Sequence, residues 1–172
     1  MIGRPSESEY PPFLAGYVSL VPEDEILMVL ADQLRDTISF LQEIPESRAG
    51  FRYAPGKWSV AELVGHVIDS ERVFGFRAFT FARGDESALP NFEQDPYVRT
   101  ARVDRVSLST LAREFGHVRR SHLLLFERLE PRDWRRTGVA SGKTVSVRAL
   151  AFVMAGHVRH HLAILKGRYL EA

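Results

Sequence analysis

No cysteine occurs among the 172 residues, which excludes disulfides, thiolate metal ligands and a cysteine nucleophile. Any transition-metal site must therefore be built from imidazole and oxygen donors. No apolar run approaches membrane-spanning length, so no membrane role is expected. No excess of one charge exists either: 23 Lys and Arg face 22 Asp and Glu. A balanced chain exerts no general pull on nucleic acid, and the Arg119, Arg120, Arg132, Arg135, Arg136 cluster reads as a solvated face with no recognition motif beside it. β-Branched runs are too short to argue for a sheet. The first dozen residues lack an apolar signal region, and the default expectation is a cytoplasmic location.

What remains is helical. The chain suits one domain over residues 1–172, with the proline-bearing stretch 1–21 read as an extended N-terminal arm. Pro22 followed by three acids predicts a helix start, and Ile26, Leu30, Leu34, Ile38 and Leu41 carry its period to about Gln42. Ser59-Val-Ala-Glu62 is a capping box opening a second helix, with Val60, Leu63, Val64, Val67, Phe74, Ala78 and Phe81 on one stripe to about Ala82. Residues 86–107 show no sustained period and predict a long connection, the kind of loop that tends to carry function. A third helix is expected from Leu108 to about Leu129, its packing set including Phe115, Leu124 and Leu125. Gly138–Thr144 reads as a loop, and Ser146 caps the last helix. Four helices with short and long connections make an all-α four-helix bundle with a long crossover. Its wide apolar helix faces are compatible with a homodimer.

The chemistry lies in the last helix. His157 and His161 are four residues apart and fall in the middle of the apolar stripe set by Leu150, Val153, Met154 and Leu165. A polar group there is costly without a partner. Two explanations stand at this point: a metal ion, or structural hydrogen bonding of the two imidazoles. A metal needs a third ligand from another helix, and the choices are His66, His117, His122 and His160. His66, at the edge of the second helix's stripe, is best placed. His117 and His122 are expected to be solvated, and His160 lies toward the polar side of its helix. There is no H-E-x-x-H motif, so the pair is not that of a zincin. Glu71 falls inside the apolar stripe of its helix. It could orient an imidazole or act as a base, but pairing with an arginine from a neighbouring helix is the favoured reading, and Asp69 remains an outer acid. Trp58 and Trp134 read as packing at helix starts.

The segment from Lys57 through Trp58-Ser59, Gly65-His66 and Asp69-Ser70-Glu71-Arg72 resembles the second helix of the DinB/YfiT-like superfamily of metal-dependent enzymes. Ala155-Gly156-His157-Val-Arg-His160-His161-Leu-Ala-Ile-Leu165 resembles its closing helix, and Leu89–Asp95 and Thr144–Leu150 are similar to its connecting segments. The likeness runs from about Pro22 to Tyr169. It implies a four-helix bundle with a long crossover and a metal triad of His66, His157 and His161. It implies no role for His160 or Glu71. It further implies a divalent transition metal, zinc or nickel for choice, a small-molecule substrate and a low-molecular-weight thiol as co-substrate of an S-transferase or isomerase. The alternatives are a metal-dependent hydrolase and a non-catalytic, metal-stabilised dimerisation or binding module.

Overall fold

The computed structural model describes residues 2–170; Met1 of the expected arm, and Glu171 and Ala172, lie outside the described residues. In chain order the helices are α1 (Ala15–Ser19), α2 (Ile26–Glu43), α3 (Val60–Ala82), α4 (Gln94–Thr100), α5 (Leu108–Phe126), α6 (Pro131–Trp134) and α7 (Val147–Ile164). A short antiparallel hairpin, β1 (Thr137–Ala140) and β2 (Lys143–Ser146), precedes α7. The bundle is α2, α3, α5 and α7: α3 packs along α7 and α5, and α2 packs along α5 and α7. Among the described residues no helix is long and apolar enough to cross a membrane.

The expected caps form. Ser59 Oγ accepts from the Glu62 amide at 3.2 Å while Glu62 Oε2 accepts from the Ser59 amide at 2.7 Å, closing the capping box that starts α3. Ser146 Oγ accepts from the Ala149 amide at 2.9 Å and starts α7. Ser107 does the same for α5.

Several expectations are corrected. Residues 2–21 of the expected arm are not extended: they carry 3₁₀ turns at Glu7–Glu9 and Pro12–Leu14, and then α1. α1 crosses α7 at Gly156, where an added Cβ would lie 1.9 Å from the Tyr17 carbonyl oxygen, so only glycine admits this approach. α2 begins at Ile26 rather than Pro22, because Glu23 is drawn onto Arg159 of α7 by two hydrogen bonds of 2.8 Å. α5 stops at Phe126, and Leu124 is exposed rather than packed. Residues 138–144 are a hairpin, not a loop. Ser141 and Gly142 both take positive φ, the type I′ geometry that suits the strand twist, with Ala140 paired to Lys143. The long connection contains α4 and is stitched to this hairpin through Leu89, whose amide donates to Val139 O and whose carbonyl accepts from the Ser141 amide.

The N-terminal segment is held by charge. Arg148 Nε donates to Glu9 Oε2 at 3.0 Å, Arg148 Nη2 donates to Glu9 Oε1, and Ser146 Oγ donates to Glu9 Oε2 at 2.8 Å. Burial alone would raise the Glu9 carboxyl. The Arg148 and Ser146 hydrogen bonds, the Ser6 amide and the Arg148 charge outweigh it and hold the group down at about 2. A folded pKa below the unfolded value of 4.5 contributes stability that is full above pH 4.5 and is lost as pH falls toward 2. Glu9→Gln is therefore expected to lower the melting temperature at pH 7, with the gap to wild type closing between pH 4.5 and 2. Thermal unfolding followed by circular dichroism across that window checks it, and a gap that stays constant with pH would refute the ion pair.

The apolar core falls into two clusters. One is built on Ile26, Val29, Leu30, Phe74, Phe81, Leu123, Phe126 and the first half of α7. The other is built on Leu41, Val60, Leu63, Leu111, Phe115, Val158 and Tyr169. Between them each bundle helix places polar side chains inward: Gln33 and Thr37 from α2, Ser70 and Glu71 from α3, Arg119 from α5, and His157 from α7, all buried. The functional site opens from this layer.

Candidate metal centre

Three imidazoles converge where α3 meets α7. His157 Nε2 lies 3.1 Å from His66 Nε2 and 3.1 Å from His161 Nε2, and all three residues are buried. One donor atom from each falls within 4.8 Å of the others, so the group could hold a metal ion. The H-x3-H spacing puts two rings on one face of α7, and His66 reaches across from α3. Aromatic rings frame them: Trp58 is 4.7 Å from His66, Tyr17 is 5.3 Å from His157, and Phe74 is 5.6 Å from His157.

Burial keeps these imidazoles neutral. His66 is pushed down to about 4 by desolvation, opposed by the charge of Asp95. His161 is pushed down to about 3 by desolvation and by His66 and His160. His157 is lowered by burial and by its three histidine neighbours. At neutral pH each ring has one N–H and one lone pair. Three nitrogens facing one another cannot all be satisfied by that supply, and the buried Nδ1 atoms of His66 and His161 have no hydrogen-bond partner.

The donor set fits a cation. With metal–nitrogen bonds of about 2.0–2.1 Å, two ligands of one ion stand roughly 2.8–3.4 Å apart, between octahedral and tetrahedral arrangements. The 3.1 Å separations fall inside that range. All-imidazole ligation suits zinc, nickel, copper or iron.

The remaining residues singled out by sequence fall elsewhere. His160 is exposed and touches Tyr17 by its ring edge. His117 is exposed, as expected. His122 is not solvated as expected: it is largely buried, with Nδ1 3.6 Å from Glu71 Oε1, a charge contact longer than a hydrogen bond. Arg119 does not belong to a solvated cluster. It is 0% exposed and donates from Nε and Nη2 to the two oxygens of Glu71, each at 2.8 Å. The arginine pairing of Glu71 is thus the one the structure shows. Burial would raise the Glu71 carboxyl, but the Arg119 charge, with His122 and the Arg119 hydrogen bonds, holds it below the usual value. Asp69 bonds Arg72 at 3.2 Å and lines a separate groove with Tyr97 and Glu114. Trp134 packs on Phe126 and is pure core, whereas Trp58 serves the site.

A cavity of about 270 Å³ reaches His66 and His157. Its walls are Phe13, Leu14 and Tyr17 from the N-terminal segment, Ser70, Phe74 and Arg77 from α3, Asn91, Phe92 and Gln94 from the crossover, and Ser141, Lys143 and Val145 from the hairpin. A larger groove of about 630 Å³ between α2 and α7 includes none of the histidines. Sequence reasoning passed over Arg77, Tyr17, Phe92 and Lys143. One signal for Arg77 was available: eleven residues after His66, it lies about 20° away on the same face of α3.

The family model of the DinB superfamily matches residues 30–165, and the chain belongs to that superfamily. Its fold matches, with a TM-score of 0.70 at 15% identity, that of YfiT from Bacillus subtilis, described as a probable metal-dependent hydrolase with an unusual four-helix bundle topology. The match covers 94% of this chain and 89% of that one. No curated protein sequence matches the chain.

Proposed function

We propose that the protein is a metal-dependent enzyme in which His66, His157 and His161 hold a divalent transition ion, zinc or nickel, and the adjoining cavity admits a small molecule. The observation that carries this reading is the convergence of three buried, neutral imidazoles, His157 Nε2 standing 3.1 Å from each of the other two Nε2 atoms, beside an open cavity lined by His66 and His157. Three protein ligands leave coordination positions free, the pattern of catalytic rather than structural sites. A bound ion would bring a coordinating thiol or water to its deprotonated form near neutral pH.

Among thiol transfer and hydrolysis, the wall chemistry favours thiol transfer with a low-molecular-weight thiol as co-substrate. Hydrolysis calls for a general base, yet no Asp or Glu is among the residues lining the cavity, and Glu71 is consumed by Arg119. A coordinated thiol would be deprotonated outright, whereas a coordinated water with a pKa of about 7 would be only partly ionised at neutral pH and would gain more from a base. Tyr17, Phe74 and Phe92 give the histidines apolar neighbours, and Ser70 Oγ stands 3.5 Å from His66 Nε2. Hydrolysis stands as the second reading on the fold likeness to YfiT.

The test uses untagged protein loaded with cobalt(II). Added glutathione is expected to produce sulfur-to-cobalt absorption and to be consumed when electrophiles are supplied. Ester or amide turnover with no spectral response to thiol would overturn transfer in favour of hydrolysis. Absence of cobalt uptake would sink the metal reading altogether.

A further inference from the structure

Among the described residues the cavity wall carries two cations, Arg77 and Lys143, and no carboxylate, the charge of Asp95 reaching His66 from outside it. Arg77 is half-buried, and both hydrogens of its Nη2 are engaged, by Pro90 O at 3.0 Å and Ser141 Oγ at 3.1 Å. These two bonds tie the guanidinium to the crossover on one side and to the hairpin turn on the other, fixing its direction. Among the described residues no carboxylate pairs with it, and its Nε and Nη1 donors remain. Lys143, at the start of β2, lines the same cavity and has no carboxylate partner among the described residues. A half-buried guanidinium fixed in direction and without a carboxylate partner is suited to an anionic ligand. Side amides of Asn91 and Gln94 add hydrogen-bonding capacity, while Phe13, Phe74 and Phe92 offer an apolar body.

We infer that Arg77 and Lys143 form a carboxylate subsite, and that the substrate class is a small organic acid with an apolar or aromatic body, its carboxylate on Arg77 and its reacting end toward the histidines. The inference rests on the same cavity as the proposed function but not on the metal, because the two cations belong to the chain itself. With both Nη2 hydrogens engaged neither fork of the Arg77 guanidinium is complete, so Nε and Nη1 each offer a single charge-assisted hydrogen bond to a carboxylate oxygen, and Lys143 supplies a second positive charge from the facing hairpin.

The test compares phenylacetate with its neutral isostere phenylacetamide by titration calorimetry, on metal-free and on cobalt-loaded full-length protein. Phenylacetate is expected to bind the metal-free protein and phenylacetamide to bind at least about tenfold more weakly. Arg77→Gln is expected to remove that preference, and Lys143→Gln, at an exposed position that leaves folding intact, to reduce it severalfold. Equal affinity for the two ligands, or a preference unchanged in both variants, overturns the subsite. Cobalt uptake measured on the same samples separates the two readings. Uptake without charge preference leaves the metal reading and removes the subsite, whereas charge preference in a protein that takes up no metal does the reverse.

Discussion

His157→Ala is expected to abolish metal retention, taking metal content of untagged protein from about one ion per chain to background. His157 is the shared vertex of the cluster: its Nε2 is 3.1 Å from both other ligand atoms. Loss of a residue that merely supports a ligand costs roughly 10–100-fold in metal affinity, so loss of the ligand itself exceeds about 100-fold. Thermal stability gives an independent reading. Metal at about 100 times its dissociation constant stabilises the folded state by roughly 2.7 kcal/mol, a gain wild type should show and the variant should lack. Without metal the variant also loses some stability, because it opens a cavity and removes the 3.1 Å contact of His66 Nε2 and His161 Nε2, so the deciding quantity is the gain on adding metal rather than the absolute melting temperature. His160→Ala is the control and keeps its metal, since that ring is exposed and touches the site only through Tyr17 and His161. Elemental analysis and melting curves with and without zinc decide it; metal retained by His157→Ala would refute the triad.

The histidine pair was legible because it breaks a pattern. Two histidines inside an apolar stripe at i and i+4 are visible from periodicity, and so is Glu71, for the same reason. The bundle helices were legible through their stripes and caps, with α3 starting within a residue of its capping box. The cavity walls were not. Arg77, Lys143 and Phe92 break no local rule: a polar residue on a helix edge, a lysine in a turn and an aromatic in a loop are each ordinary. They acquire meaning only when the crossover and hairpin fold over the histidines, through long-range bonds such as Leu89 to Val139 and Arg77 to Ser141. The hairpin itself was missed because four-residue strands are too short for alternation to register, although Ser141-Gly142 is a turn pair. Arg119 was misread for a different reason. An arginine beside Arg120 and Ser121 looks solvated, and its burial depends on Glu71, 48 residues away.

That pair yields the largest expected loss of stability. Arg119→Met is expected to destabilise the fold by roughly 3–5 kcal/mol, because it strands a carboxylate that is 2% exposed in the middle of the bundle. At about 2–4 °C per kcal/mol for a chain of this size, the melting temperature falls by roughly 6–20 °C. The double variant Glu71→Leu with Arg119→Met should recover much of this, since the charge left behind is gone. It will not recover all of it, because Arg119 Nη1 also donates to Gln33 Oε1 at 3.1 Å and to Leu30 O at 3.2 Å. Gln33 in turn donates from Nε2 to Ala155 O at 2.8 Å, two residues before His157. One chain of contacts thus runs from Glu71 on α3 through Arg119 on α5 and Gln33 on α2 to α7, crossing the seam between the two apolar clusters. An apolar seam would let the helices slide with little penalty; directional bonds on all four do not. His66 sits on α3 and His157 on α7, so the same contacts hold the two histidine-bearing helices in register. The double variant should therefore fold yet bind zinc more weakly than wild type, by about 10–100-fold, the range for residues that orient ligands. Zinc affinity by chelator competition, measured beside the melting temperature, separates the roles. Recovered stability with unchanged affinity would show that packing alone sets the spacing of the histidines.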